Sequence, residues 1–231
     1  MLAAMLRRLA VPLAFLTPLA LIAACGPATA TSESTPATSA PALLAPSATD
    51  GGAAHGLRDR YAATQRLAGL AEMPEHSDEK LDYDGVVCGR PVPLLDRRLA
   101  AVVHAFGTPD DAEPQDFANV NQETVVYTSE ADATEALRQL FDLLDECERD
   151  VEADQVTDGH AAVELPNEVG LPGRAVAATM TIPEGYRFPY RYGCLRHTRV
   201  VQCVAVWTRS VEHTATWFDK AIIVTAEGLR T

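Results

Sequence analysis

Lysine is almost missing from this chain. Only Lys80 and Lys220 occur in 231 residues, and arginine supplies the rest of the 19 basic side chains. Against 32 acidic side chains the formal net charge is −13. That is the wrong sign for the basic footprint that phosphate backbones require, so no nucleic-acid partner is expected. GxSxG, HExxH, Walker and GxGxxG signatures are all absent, which removes the sequence-legible hydrolase, metalloprotease and nucleotide sites. There is no CxxC and no paired CxxH, and His160, His197 and His213 are scattered with nothing at metal-ligand spacing between them. No cofactor or metal is expected. The chain reads as a non-enzyme, with a convergent hydrolase site as the catalytic alternative. It also lacks a clean apolar run of the roughly 20 residues that a membrane helix needs.

What is present starts with MLAAMLRRLAVPLAFLTPLALIAAC. Arg7 and Arg8 form a basic flank, and the apolar run from Ala10 to Ala24 is broken by Pro12 and Pro18, the pattern of a cleaved export signal. Its end, Leu21-Ile22-Ala23-Ala24-Cys25, resembles the lipobox of bacterial lipoproteins, in which signal peptidase cuts before a cysteine that receives a diacylglycerol. The resemblance implies a signal peptide over residues 1–24 and a lipidated, acylated Cys25. It also implies a membrane-lipid partner and a location on the extracytoplasmic face of the cell membrane. An ordinary secretory signal that happens to contain a cysteine is the alternative. Residues 25–55 continue as Ala, Thr, Ser, Pro and Gly with almost no charge or aromatic content. Such a stretch cannot bury enough apolar surface to offset its chain entropy and reads as a flexible tether, open to O-glycosylation.

Residues 56–231 then form one domain with room for a core. Without the two signal-peptide arginines the charge is 17 − 32 = −15, a solubility feature of an exported protein. Four cysteines remain: Cys88, Cys147, Cys194 and Cys203. An even number in an exported chain suggests two disulfides, for which three pairings exist. Cys194 and Cys203 flank what reads as a tight hairpin, so cross-strand pairing is easy if they lie opposite. Cys88 would then pair with Cys147.

Helical spacing marks Leu57–Leu70, and Ala71–Asp84 reads as a polar loop. Leu94–Phe106 reads as a second helix containing His104 and stopping at Gly107. Phe117–Thr128 carries a strand. Ser129 can cap the helix that follows, with Asp132 completing a capping-box-like pattern and Ala133, Ala136, Leu137, Leu140, Phe141, Leu144 and Cys147 forming its buried stripe. The carboxylates on the opposite face read as solvated. Ala175–Ile182 is a strand, Arg187–Leu195 and Val200–Thr208 an antiparallel hairpin, and the chain closes on a helix with Thr214 as candidate cap. Trp217, Ala221 and Val224 would face inward on that helix, with Phe218 and Ile222 on a flank. The mixed order predicts an α+β domain, a mostly antiparallel sheet flanked by helices.

The segment VVYTSEADATEALRQLFDLLDEC resembles a pattern in the PknH-like extracellular sensor domains and related lipoproteins of actinobacteria. There a strand leads into an acidic, alanine-rich helix whose last turn carries a cysteine. Cys88 upstream, a late cysteine pair and a terminal helix follow in the same order, over roughly residues 80–230. The resemblance implies a mixed sheet-and-helix domain with two disulfides and a cleft suspected of binding an extracellular ligand.

One stretch carries the candidate site. In YRFPYRYGC (residues 186–194), Tyr186, Phe188, Tyr190 and Tyr192 share one strand face and Arg187 and Arg191 the other. If Cys194 faces Cys203, Tyr192 lies opposite Ala205 and Tyr190 opposite Trp207. Pro189 suggests an edge strand or a bulge. Residues 186–209 hold five arginines and no acid. Two readings follow: a core wall whose arginines pair with the carboxylates of the 130–150 helix, or a ledge that binds a ligand. On the second, Arg187, Tyr190, Arg191 and Trp207 are the candidate ligand-binding residues, for an anionic envelope glycan or small ligand. Function is accordingly expected to be a non-catalytic, membrane-anchored sensor-like domain. The alternatives are an accessory lipoprotein docking on an envelope protein, and a cryptic hydrolase.

Overall fold

Hydrophobic residues recur at both parities through the middle of this chain, and the result is a sheet buried on two faces. The computed structural model describes residues 67, 69–73, 78–79, 86–109, 113, 116–152 and 155–231. The expected signal peptide, Cys25, the tether and most of the 57–70 helix lie outside the described residues. The elements are β1 (Ala71–Glu72), β2 (Asp78–Glu79), β3 (Val86–Val87), β4 (Arg90–Pro91), β5 (Arg98–Gly107), β6 (Ala118–Tyr127), α1 (Glu130–Asp145), β7 (Arg149–Glu152), β8 (Gln155–Val163), β9 (Gly173–Thr181), β10 (Arg187–His197), β11 (Val200–Thr208) and α2 (Val211–Arg230). Nine strands form one sheet, ordered β1-β5-β6-β11-β10-β9-β8-β7, with β2 also on β5, and every pairing is antiparallel. With α1 and α2 packed on it and two disulfides, this is the expected α+β architecture. Among the described residues no helix is long and apolar enough to cross a membrane.

The expected helix over 94–106 is a strand. Leu95–Arg97 makes a single 3-10 turn, and Arg98–Gly107 is β5. Ala100, Ala101, Val102, Ala105 and Phe106 are all buried. A strand buried on both faces loses the alternation that would distinguish it from a helix. The polar tract from Ala71 contributes β1 and β2, which add to the free edge of β5.

α1 forms as its sequence predicts. Ser129 Oγ accepts from the Asp132 amide at 3.1 Å, and the Asp132 carboxylate accepts from the hydroxyls of Ser129 and Thr128. Those two donors hold Asp132 below the usual carboxylate range. Its solvent face carries a ladder in which Arg138 bonds Glu135 and Asp142, and Arg138 with Gln139 lowers Glu135 to about 2. The capping residue of α2 differs from expectation. Ser210 Oγ accepts from the His213 amide at 3.1 Å. Thr214 lies one turn inside, buried, its hydroxyl shared among Thr208, the Ser210 carbonyl and the Pro189 carbonyl. The inward stripe shifts with it to Phe218, Ala221, Ile222, Thr225, Ala226 and Leu229, leaving Trp217 and Val224 half-buried beside it.

β10 is an interior strand, contrary to the edge or bulge that Pro189 suggested. Pro189 pairs with Thr179 of β9, while the β10–β11 ladder begins one residue later at Tyr190. Its carbonyl points at Thr214, and in a strand the nitrogen shares that side, so no ladder bond is lost. Cys194 and Cys203 lie directly opposite and are bonded, and Cys88 is bonded to Cys147. The second bridge spans 59 residues, worth about 4 kcal/mol in the chain-entropy model.

α2 covers one face so closely that a side chain at Gly193 would collide with it. A Cβ there would stand 2.6 Å from Phe218 Cζ and 3.0 Å from Ala175 Cβ. Gly193→Ala is expected to lower stability by about 1–3 kcal/mol in urea unfolding. Gly228→Ala, within α2 where nothing lies within 4 Å of a new Cβ, is expected to raise it by about 0.5–1 kcal/mol.

Candidate functional site

The other sheet face is covered along only part of its length. α1 packs Ala133, Ala136, Leu137, Phe141 and Leu144 over Val125, Tyr127, Val176, Cys194, Val201 and Cys203. At the margin of this cover lies Tyr192, and beyond it on the same strands come Tyr190 of β10, Ala205 and Trp207 of β11, and Glu123 and Asn121 of β6. These residues floor a cavity of about 330 Å³. Its walls are α1, the β3–β4 hairpin with Val92 and Pro93, and the β7–β8 hairpin through Asp150, Gln155, Thr157 and His160. The volume is at the lower end of the range of small-molecule sites, about 300–1,000 Å³.

Local geometry places each wall. The β3–β4 turn holds Cys88 and Gly89 at φ 55° and 72°, positive at both central positions as a two-residue type I′ hairpin requires. Cys88 is tied there to Cys147, just beyond α1, and its amide donates to Asp150 Oδ1 at 2.8 Å. The hairpin wall is therefore fixed to both the helix and β7. His160 Nδ1 lies 3.2 Å from the Cys147 carbonyl oxygen.

The strand parity of YRFPYRYGC holds, and it divides the four candidate residues. Tyr190 and Trp207 are directly paired across the ladder and both line the cavity. Arg187 and Arg191 lie on the α2 face. Arg191 sits 3.7 Å from Asp219 and over the Phe218 ring, and the more exposed Arg187 is 3.8 Å from Asp158. The structure does not bring the four together. Two more arginines of the stretch are engaged, Arg196 bonding Glu130 of α1 at 2.7 Å and Arg209 lying over Phe117, while Arg199 is exposed at the β10–β11 turn. The pairing with helix carboxylates is thus made by Arg196, joined from β9 by Arg174 to Asp142 and Asp145. Of the aromatics, Tyr192 stacks near Phe141 of α1 and Phe188 meets Phe117. Core wall and open ledge are two ends of one strand.

Among the cavity residues that escaped the sequence reading are Arg98, Asn121, Glu123 and Tyr127. Arg98 Nη1 is 3.4 Å from Glu123 Oε1, with the arginine side chain 5% exposed and the carboxylate 27%. Burial raises the Tyr127 hydroxyl pKa, partly opposed by the Arg98 charge. Burial, followed by the Glu123 charge, pushes Tyr192 well above its usual value. Both phenols are therefore neutral donors at neutral pH. The available signal was Asn121 and Glu123 on the same parity as Val125 and Tyr127, a strand face that turns from apolar to polar along its length. The buried histidine, His104, is on the other face, its Nδ1 3.2 Å from Glu72 Oε1.

No family model and no curated protein matches this sequence. The crystal structure of the extracellular domain of PknH from Mycobacterium tuberculosis does match in three dimensions, with a TM-score of 0.53 over 74% of this chain and 94% of that one. The fold is PknH-like. The resemblance read from the strand, the acidic helix and the cysteine order extends to the architecture, and at 14% identity it speaks for the fold alone.

Raised tyrosine pKa values carry a sign. A group that binds its proton more tightly when folded contributes stability that is full below its unfolded pKa, about 10, and lost as pH rises through the folded value. In an alkaline absorbance titration Tyr127 and Tyr192 are expected to ionise late, above the usual tyrosine range. Tyr127→Phe and Tyr192→Phe should each remove part of that late amplitude and reduce the alkaline loss of stability.

Proposed function

We propose that this chain is a non-catalytic, lipid-anchored extracytoplasmic protein whose folded domain binds a small ligand in the cavity between α1 and the sheet. The observation that carries this reading is the half-covered sheet face. An aromatic pair, Tyr190 and Trp207, stands at the uncovered end of a pre-formed cavity whose walls are tied by a disulfide. Aromatic rings with a few convergent polar groups, here Asn121, Glu123 and Thr157, are the ordinary composition of a small-molecule site. The shared fold with an extracellular domain and the lipobox at Cys25 support the location. The docking alternative would rest on a broad apolar patch. The large exposed hydrophobics Val86, Val151, Tyr186 and Val211 come from four separate segments.

Trp207 reports on its own site once Trp217, the second of the two tryptophans, is replaced. In a Trp217→Phe background, titration with envelope glycans, muropeptides and small organic acids should reveal a saturable change in emission. Tyr190→Ala should weaken that binding roughly three- to tenfold. A ligand that binds this domain tightly without moving Trp207 emission, and equally well to Tyr190→Ala, would place the site elsewhere. Separately, a labelled fatty acid should be incorporated by the wild-type chain and not by Cys25→Ala. An unlabelled wild-type chain would remove the anchor from the proposal.

A further inference from the structure

The cavity contains an arginine whose hydrogen bonding is incomplete. Arg98 begins β5, and its side chain, 5% exposed, lines the cavity. Nη1 makes one contact, 3.4 Å, with a single oxygen of Glu123. The Tyr127 hydroxyl is its other neighbour. Nε is buried and has no hydrogen-bond partner among the described residues. A guanidinium removed from water needs its donors satisfied, and the long contact to Glu123 together with the hydrogen bond to Tyr127 leaves Nε unmatched. The Nε side of the fork is the edge that the two oxygens of a carboxylate bridge in parallel.

The walls describe the rest of the ligand. Leu137, Leu140 and Leu144 of α1 and Val125, Val176 and Val201 of the sheet also line the cavity, so much of its lining is aliphatic. Glu123 and Asp150 also line the cavity. They repel a doubly charged phosphate more strongly than a singly charged carboxylate, and the flat two-oxygen group matches the vacant edge better. We propose that the cavity binds a monocarboxylate with an apolar body, the carboxylate bridging the Nε edge of Arg98 and the body lying between α1 and the sheet. This names the ligand class for the binding reading above and rests on it. Glu123 then tunes the site, competing with the ligand for the arginine charge.

Octanoate and its uncharged counterpart octanamide are the probes, titrated by amide and indole NMR into the mature chain carrying Cys25→Ala. Octanoate should bind saturably, shifting Val125, Val201 and the Trp207 indole, and octanamide should bind at least tenfold more weakly. Arg98→Gln should weaken octanoate at least tenfold and leave octanamide unchanged. Arg98→Lys, which keeps the charge and loses the fork, should recover only part of the difference. Glu123→Gln should tighten octanoate severalfold, and it carries the test if the Arg98 variants do not fold. Equal binding of the acid and the amide, or no gain in Glu123→Gln, overturns the carboxylate assignment while leaving a cavity that binds ligand. Absence of octanoate binding also overturns it. The Trp207 titration with other ligands decides the wider reading independently.

Discussion

The disulfide between Cys194 and Cys203 joins β10 to β11 at directly opposed positions, and the rest of the molecule depends on the register it holds. Side chains alternate along a strand, so a slip of one residue would exchange the faces of every residue beyond it. Tyr190 and Tyr192 would turn into α2, and Arg191 would face the cavity. Leu195 would leave a core in which it is fully buried, and Gly193 would no longer meet Phe218. Hydrophobic patterning supports the same register because both faces are occupied. The bond makes the choice covalent at the centre of the sheet.

From that register follows the asymmetry that makes a cavity. α2 runs 20 residues and seals its face, with Gly193 allowing Phe218 to approach the strand. α1 runs 16 residues over the opposite face and leaves Tyr190, Trp207 and Asn121 outside its cover. The sealed face holds polar groups matched by internal partners, such as Gln122 with Thr225 and Gln202 with Thr124. The open face holds Arg98, matched only in part. Unmatched atoms occur on both faces among the described residues, His104 Nε2 and Gln122 Oε1 on the sealed one and Arg98 Nε on the open one; Arg98 differs in that its unmatched atom belongs to a charged group lining a cavity.

Much of this was legible in the residues, for identifiable reasons. The β10–β11 register followed from two cysteines nine apart with clean alternation between them. α1 followed from a serine cap and a three-four stripe. β5 was not legible, because a strand buried on both faces carries an uninterrupted apolar run that also suits a helix. That one error concealed the site. Arg98 becomes a cavity residue only when β5 pairs with β6 and sets it beside Tyr127 and Glu123. The start of α2 was ambiguous because Ser210 and Thr214 are both capping residue types one turn apart, and the choice of turn rotated the inferred inner face. Arg187 and Arg191 were placed on the correct face by parity. Their partners, Asp219 and Asp158, could not be inferred without knowing which helix and strand lie against them.

Both disulfides border the cavity, one in its floor at Cys203 and one tying its hairpin wall through Cys88 and Cys147. The two bonds have different dependents. The floor is also held by the ladders on either side of β10 and β11. The β3–β4 wall is a two-stranded hairpin outside the main sheet. In a reducing compartment the sheet can therefore assemble while that wall remains loosely held. With Cys88 and Cys147 as thiols the hairpin would keep only its bonds to Asp150 and Glu146 as polar ties among the described residues, so oxidation is what completes this wall of the cavity.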